Sequence, residues 1–359
     1  MNQSKTRITA FDFARALAIF GMIIVNYKIA MQAEHSGPKW LQSIAGLFEG
    51  RASALFVLLA GIGVALMTSK ARSSMSRELI RQSRMGLYKR AAFLFIAGVL
   101  LLFMEWSADI LHYYAVFMLV AAVLITVSDR LIIVLFLTIL SLSQVFLLLF
   151  DYSKGWNSNF TVYTDFWTLE GFARNLLFNG FHPLFPWLCF FLIGLWIGRK
   201  GWITNKNRSK LLLNALLGTV IFESMSYILV KWTSPSLGSE AALYLFGTKP
   251  MPPTMLYVLS GISSALAIIA VSLYIVDKWE KFALTQAIIY TGQLSFTHYY
   301  GHVVIGLGLL QLIGYLENGS LAFAVAYGSL YFVMAIAFSY MWRKQISRGP
   351  IELLMRKLC

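Results

Sequence analysis

Three clusters of ionisable residues interrupt an otherwise apolar sequence. The stretch "FDFARALAIFGMIIVNY" (residues 11–27) carries Asp12, Arg15 and Asn26. At 100° per residue these three fall within about 60° on one helical face. An isolated charge at membrane depth costs ~2.5 kcal/mol or more. Asp12 and Arg15 are one turn apart, so they can pair. The pair either locks its helix to its neighbours or presents a guanidinium that grips an anion such as a phosphate, with Asp12 orienting it. The stretch "FMEWSADILHYYAVF" brings Glu105, Asp109 and His112 together, and a carboxylate beside a histidine can orient the imidazole and raise its basicity. The plainer reading is a hydrated loop with charged caps. In "TGQLSFTHYYGHVVIG", Ser295, His298 and His302 stand at i, i+3 and i+7 and share a face if the helix is continuous. Intramembrane histidines usually face a cavity or a partner. No third ligand accompanies this pair, so no metal site is expected. His182, in "NGFHPLFPW", is an interfacial residue or a site residue. Glu49 and Arg51 stand at the mouth of a small-residue helix containing Ala60, Gly61, Gly63 and Ala65. Glu223 is a further acid in an apolar run, either a structural hydrogen-bond partner or a proton carrier.

These side chains need a scaffold, and the composition says which. The 359 residues are 58% hydrophobic and 13% charged, about half the charge of a soluble domain. The apolar residues fall in ten blocks long enough to cross hydrocarbon: 11–31, 52–69, 91–107, 110–127, 131–150, 183–198, 211–230, 255–276, 290–313 and 321–342. The expected fold is all-α: a polytopic integral membrane bundle of about ten helices, forming a single transmembrane domain over 1–359. Of the 30 Lys and Arg, 22 lie in alternate connecting segments. Basic loops stay inside, so both termini are expected in the cytoplasm of a plasma-membrane protein. The net charge of +14 is then a topology signal. It points to lipid headgroups as partners and away from nucleic acid. Cys189 and Cys359 suggest neither a disulfide framework nor a thiolate metal site. No small-residue cleavage site follows the first apolar run, which reads as a signal anchor. The outer segment 151–182 carries Tyr152, Trp156, Phe160, Tyr163, Phe166 and Trp167. It is expected to be an aromatic belt or a lid, with an interfacial helix near 165–178. No inverted repeat is evident, which weakens a transporter reading.

Five motifs, in order, resemble YeiB-type membrane proteins (domain of unknown function 418). They also resemble the wider transmembrane acyltransferase group that includes heparan-α-glucosaminide N-acetyltransferase. "RITAFDFARALAIFGMIIVN" is similar to that group's opening motif and covers Arg7, Asp12, Arg15 and Asn26, with Ala16 where the group has glycine. "LFEGRASALFVLLAGIG" and "FPWLCFFLIGLWIGR" resemble two helix-packing segments. "DILHYYA" contributes Asp109 and Tyr114, and "GQLSFTHYYGH" contributes Ser295, Tyr299 and His302. The resemblance implies acyl transfer from a cytosolic thioester, acetyl-CoA or another acyl-CoA, to a small-molecule or glycan acceptor across the membrane. On that reading His302, His35, His112, Asp109, Asn26 and Ser295 are candidates for the chemistry. His35 follows Asn26 and Tyr27 at a spacing similar to that of the group's catalytic histidine. Asp12 and Arg15 would hold the donor's phosphates. Glu49, Arg51, His182, His298 and Tyr299 would contact the acceptor. His35, His112, His182 and His302 are expected to gather toward the outer half of the membrane. A homo-oligomer is an open expectation. The alternative is a proton-coupled transporter with Asp12, Glu223, His298 and His302 as its relay.

Overall fold

A computed structural model describes residues 8–34 and 36–359. Arg7 and His35 lie outside the described residues. Among these the chain is helical, and its strand-like pairings are two isolated bridges, Trp156 with Tyr163 and Pro250 with Pro253. In chain order the α-helices are α1 (Thr9–Ala30), α2 (Lys39–Gly46), α3 (Arg51–Met67), α4 (Ser69–Ser74), α5 (Arg77–Phe103), α6 (Leu111–Leu124), α7 (Asp129–Leu149), α8 (Leu169–Arg174), α9 (Leu184–Lys200), α10 (Arg208–Leu237), α11 (Ser239–Phe246), α12 (Met255–Trp279), α13 (Ala283–Gln293), α14 (Ser295–Gly301), α15 (Gly308–Leu312), α16 (Leu321–Arg343) and α17 (Pro350–Leu358). Local chemistry starts several of them. Ser76, Ser128, Thr168 and Ser320 each accept a backbone N–H three residues on, at the heads of α5, α7, α8 and α16. These side chains satisfy donors that a helix start leaves open. Glu78, Asp129 and Glu170 add negative charge in the first turn, where the helix dipole favours it.

Among the described residues, seven helical stretches are long and apolar enough to cross a membrane. The chain is therefore a multi-pass membrane protein. An eighth is counted if α8 and the π-turn Asn175–Asn179 join α9 across a 48° bend. The expected spans at 110–127 and 290–313 take other forms. The first is the shorter Leu111–Leu124. The second is split into α13, α14, a π-turn at His302–Leu307 and α15. Its break falls at Leu294, whose φ of −102° and ψ of 22° leave the helical region.

The chain forms two compact units. One comprises Met1–Phe56, Ile203–Leu213 and Ala265–Leu354. In it α1 packs against α13 and α16. The C-terminal helix α17 sends Glu352 to the break, where its Oε1 accepts the N–H groups of Phe296 (2.8 Å) and Thr297 (3.2 Å). The hydroxyl of Thr297 donates to the other carboxylate oxygen at 2.6 Å. A carboxylate thus caps the restarted helix.

The other unit comprises Val57–Trp202, Asn214–Ser264 and Met355–Cys359. Here α5 packs on α6, and α7 on α9. Backbones approach closely through small residues. A Cβ on Gly194 would lie 2.1 Å from the carbonyl oxygen of Leu58, and one on Gly61 would lie 2.2 Å from that of Phe191. Without a hydrophobic drive between helices in lipid, such packing is what holds them together. The aromatic segment 151–182 turns its rings on one another. Trp156, Tyr163 and Phe166 form a buried cluster with Leu102. Within it the short α8 is followed by the π-turn Asn175–Asn179.

Gly194→Ala should force backbone against backbone and cost about 1–3 kcal/mol. Gly63→Ala, with nothing within 4 Å of its Cβ, should be neutral. Thermal unfolding of both variants in detergent checks this contrast.

Candidate functional site

In the first unit, α1 carries a polar group near each end. Asp12 is 2% exposed. Its Oδ1 accepts from Arg15 Nη1 at 2.8 Å, and its Oδ2 from Gln293 Nε2 at 3.3 Å. The turn spacing of Asp12 and Arg15 produces the first bond, and the end of α13 supplies the second. Arg15 is bound through one nitrogen, and its side chain is 23% exposed, so the rest of the guanidinium is open to an anion. Eleven residues along, Asn26 Nδ2 meets Nε2 of the fully buried His302 at 2.8 Å. His302 Nδ1 meets the carbonyl oxygen of Tyr299. That carbonyl can only accept, so Nδ1 bears the proton and Nε2 accepts from the amide. The Tyr27 hydroxyl donates to the carbonyl of His302 at 3.1 Å.

The three residues read as one face do not act together. His298 Nε2 lies 2.6 Å from Ser339 Oγ of α16, while His302 turns to α1. Ser295 is buried at the head of α14. The backbone from Ser295 to His302 is helical, and the two histidines, one turn apart, take partners on different helices. Tyr299 contributes its carbonyl and a ring 5.2 Å from that of His302. Glu49 is the partner of Lys28. Arg51 heads α3 and is part-buried. Lys28 is 4% exposed, with Glu34 at 4.0 Å as a second acid. Its place in the last turn of an apolar helix was the available signal.

The second unit holds a different arrangement. Asp109 Oδ2 accepts both the backbone N–H (3.1 Å) and the ring Nδ1 (2.9 Å) of His112. The two residues are 0% and 1% exposed. Nδ1 therefore carries the proton and Nε2 the lone pair, and Nε2 has no hydrogen-bond partner among the described residues. The ring of Tyr113 lies 3.8 Å from that of His112 and 5.9 Å from that of His182. His182 Nδ1 and Trp187 Nε1 are likewise buried without partners among the described residues, their rings 4.5 Å apart. Of the four histidines expected together, His112 and His182 are close. His302 belongs to the first unit. Glu105 is exposed and does not join them.

Two amides of the π-turn complete this centre. Asn175 Oδ1 accepts from the Tyr113 hydroxyl at 2.5 Å, and Asn179 Oδ1 from that of Tyr163 at 2.7 Å. Burial raises the Tyr163 phenol, although Arg174 beside it pulls the other way. The phenol thus stays protonated and able to donate. Neither amide stood out in the sequence. Their i, i+4 spacing beside a histidine was the only trace.

The model for heparan-alpha-glucosaminide N-acetyltransferase, catalytic, matches residues 7–228, more than half of the 359. The chain belongs to this acetyltransferase family. Residues 197–359 match a second family, described as a protein of unknown function (DUF418). No curated protein matches the chain. The N-acetyltransferase match covers Asp12, Arg15, Asn26, Glu49, Arg51, Asp109, His112 and His182. The segment carrying Ser295, His298, Tyr299 and His302 falls in the second match.

A double-mutant cycle with Asn26→Ala and His302→Ala should show a coupling of about 0.6–1.7 kcal/mol, the range of interhelical hydrogen bonds in membranes. Unfolding free energies in bicelles would measure it, and additive effects would mean that the bond carries nothing.

Proposed function

We propose that the chain is an integral membrane acyltransferase. It takes an acyl group, acetyl in the first instance, from a cytosolic CoA thioester and places it on a hydroxyl or amine acceptor at the other membrane face. The family's name, an N-acetyltransferase of a glucosaminide, favours an amine on a sugar or a similar small molecule. The observation that carries the reading is the buried Asp109–His112 pair with its open Nε2, inside the window matched by the N-acetyltransferase model.

The same proposal sets the topology at ten crossings. The seven clear helices and the bent pair make eight, and Leu111–Leu124 and the broken 283–312 segment complete the number. The basic segments and both termini face the cytoplasm. The whole chain works as one transmembrane enzyme with 151–182 as a lid, and lipids surround it in the plasma membrane.

In the reaction, His112 Nε2 takes the proton from the acceptor's O–H or N–H as that atom attacks the thioester carbonyl. Asp109 holds the imidazole in the competent tautomer and stabilises the imidazolium. The C–S bond breaks, and the departing thiolate recovers the proton from His112. Arg15, steadied by Asp12, contacts phosphate of the donor. The environment of the other buried ionisable groups supports this reading over a proton relay. Glu223 accepts from Ser260 (2.5 Å) and Thr248 (2.8 Å), and His298 is engaged with Ser339.

Purified protein in liposomes tests the assignment through thiol release from acetyl-CoA, with water as the slow acceptor. His112→Gln should lower kcat by about 10²–10⁴-fold with KM little changed. Arg15→Gln should instead raise KM for the donor. If the wild type neither binds nor consumes any acyl-CoA, the proposal falls; if His112→Gln turns over normally, its base assignment falls.

A second variant pair addresses the same centre from the neighbouring helix. A Cβ on Gly98 would lie 2.6 Å from Asp109 Oδ2 and 2.7 Å from the His112 nitrogen, whereas one on Gly86 of the same helix meets nothing within 4 Å. Gly98→Ala should lose activity as His112→Gln does, and Gly86→Ala should keep it and gain up to about 1 kcal/mol of stability.

A further inference from the structure

Helix α5 opens with a basic half and continues into an apolar one. Arg77, Arg81, Arg84 and Tyr88 follow at one-turn spacing on a single face. With Ile80, Met85 and Thr126 they line a cavity of about 380 Å³. Arg84 Nε donates to the Ala122 carbonyl at 3.1 Å, which leaves its terminal nitrogens for a ligand. Arg77 and Arg81 are exposed. The acid nearest them in sequence, Glu78, is engaged by Gln82 at 2.8 Å. Three guanidiniums beside one small cavity are complementary to a phosphate, which each can meet with paired N–H donors.

The face does not end at the cavity. At the same helical angle it runs on to Ala92, Phe95 and Val99. Ala92 and Phe95 are exposed, and Phe95 is 40% accessible. A ligand that used the whole face would carry an anionic head and a long apolar tail. Tyr88 sits between the two parts, as aromatic residues do at a membrane interface.

We propose that this cavity binds the phosphate headgroup of an anionic phospholipid, with an acyl chain lying along Phe95. The site is independent of the acyl-transfer reading. It would fix a lipid at the basic end of α5, beside the α5–α6 packing that carries Asp109 and His112 at its other end.

Native mass spectrometry of the full chain from mixed micelles of phosphatidylglycerol and phosphatidylcholine tests the site. The wild type should retain phosphatidylglycerol selectively. Arg77→Gln/Arg81→Gln should cut that retention about tenfold, with no change in phosphatidylcholine or in melting temperature. Met85→Glu, which places a carboxylate at the rim, should have the same effect. Phe95→Asp should weaken phosphatidylglycerol as well. Equal retention in all variants would overturn the proposal. So would displacement of the lipid by micromolar 3′-phosphoadenosine 5′-diphosphate, since the cavity would then take a nucleotide.

Discussion

Hydrocarbon offers no partner to a polar group, so each one at membrane depth must find its partner inside the protein. The Asn26–His302 hydrogen bond is where this requirement shapes the first unit most. It ties α1 to a segment that is not a continuous helix, and that segment survives only because its loose backbone groups are met. The break at Leu294 exposes N–H groups, and Glu352 takes them. The π-turn frees carbonyls, and hydroxyls answer them: Tyr27 donates to His302 and Tyr327 to Gly306, at 3.1 and 2.9 Å. The irregular segment is tolerated because side chains of the protein meet its loose backbone groups.

The same requirement explains why polar residues sit opposite glycine. Gly292 lets α13 meet the backbone of Asp12, where a Cβ would come within 1.7 Å of its carbonyl oxygen. Gly98 does the same for Asp109 and His112. Burying a carboxylate needs donors at hydrogen-bond distance, and that needs the neighbouring helix close by. Larger side chains would hold the helices apart and leave the charge unpaired, at a cost of several kcal/mol. In each unit the polar pair and the close helix contact are therefore one structural feature.

What could be read from sequence was what is local. Asp12 with Arg15 is an i, i+3 pair within α1, and Asp109, just ahead of α6, accepts the backbone N–H of His112 three residues on, so both contacts are local. The apolar blocks were equally plain, because hydrocarbon thickness sets their length. The partner of His302 is 276 residues away, and no periodicity reveals it. Helical spacing also says nothing of which helix each side chain meets: one turn apart, His298 reaches Ser339 and His302 reaches Asn26. Nor does the sequence show that Lys28 in the last turn of α1 is buried against Glu49. Asn175 and Asn179 were hidden in a segment whose aromatic residues dominated the reading.

The second unit shows where pairing was left incomplete. His112 Nε2, His182 Nδ1 and Trp187 Nε1 are buried without partners among the described residues. A buried polar atom without a partner costs about 1–3 kcal/mol. A purely structural histidine would gain by turning both nitrogens to acceptors or donors, as His302 does. His112 instead commits Nδ1 to a carboxylate and holds Nε2 open. The rings of Tyr113 and Phe166 lie 3.8 and 6.1 Å from that imidazole, and Phe166 belongs to the aromatic segment that also supplies Asn175 and Asn179. A cluster of this kind is stable only if the surrounding packing compensates, and the ring cluster of Trp156, Tyr163 and Phe166 provides that packing. The unpartnered nitrogen and the dense ring cover are parts of one buried arrangement.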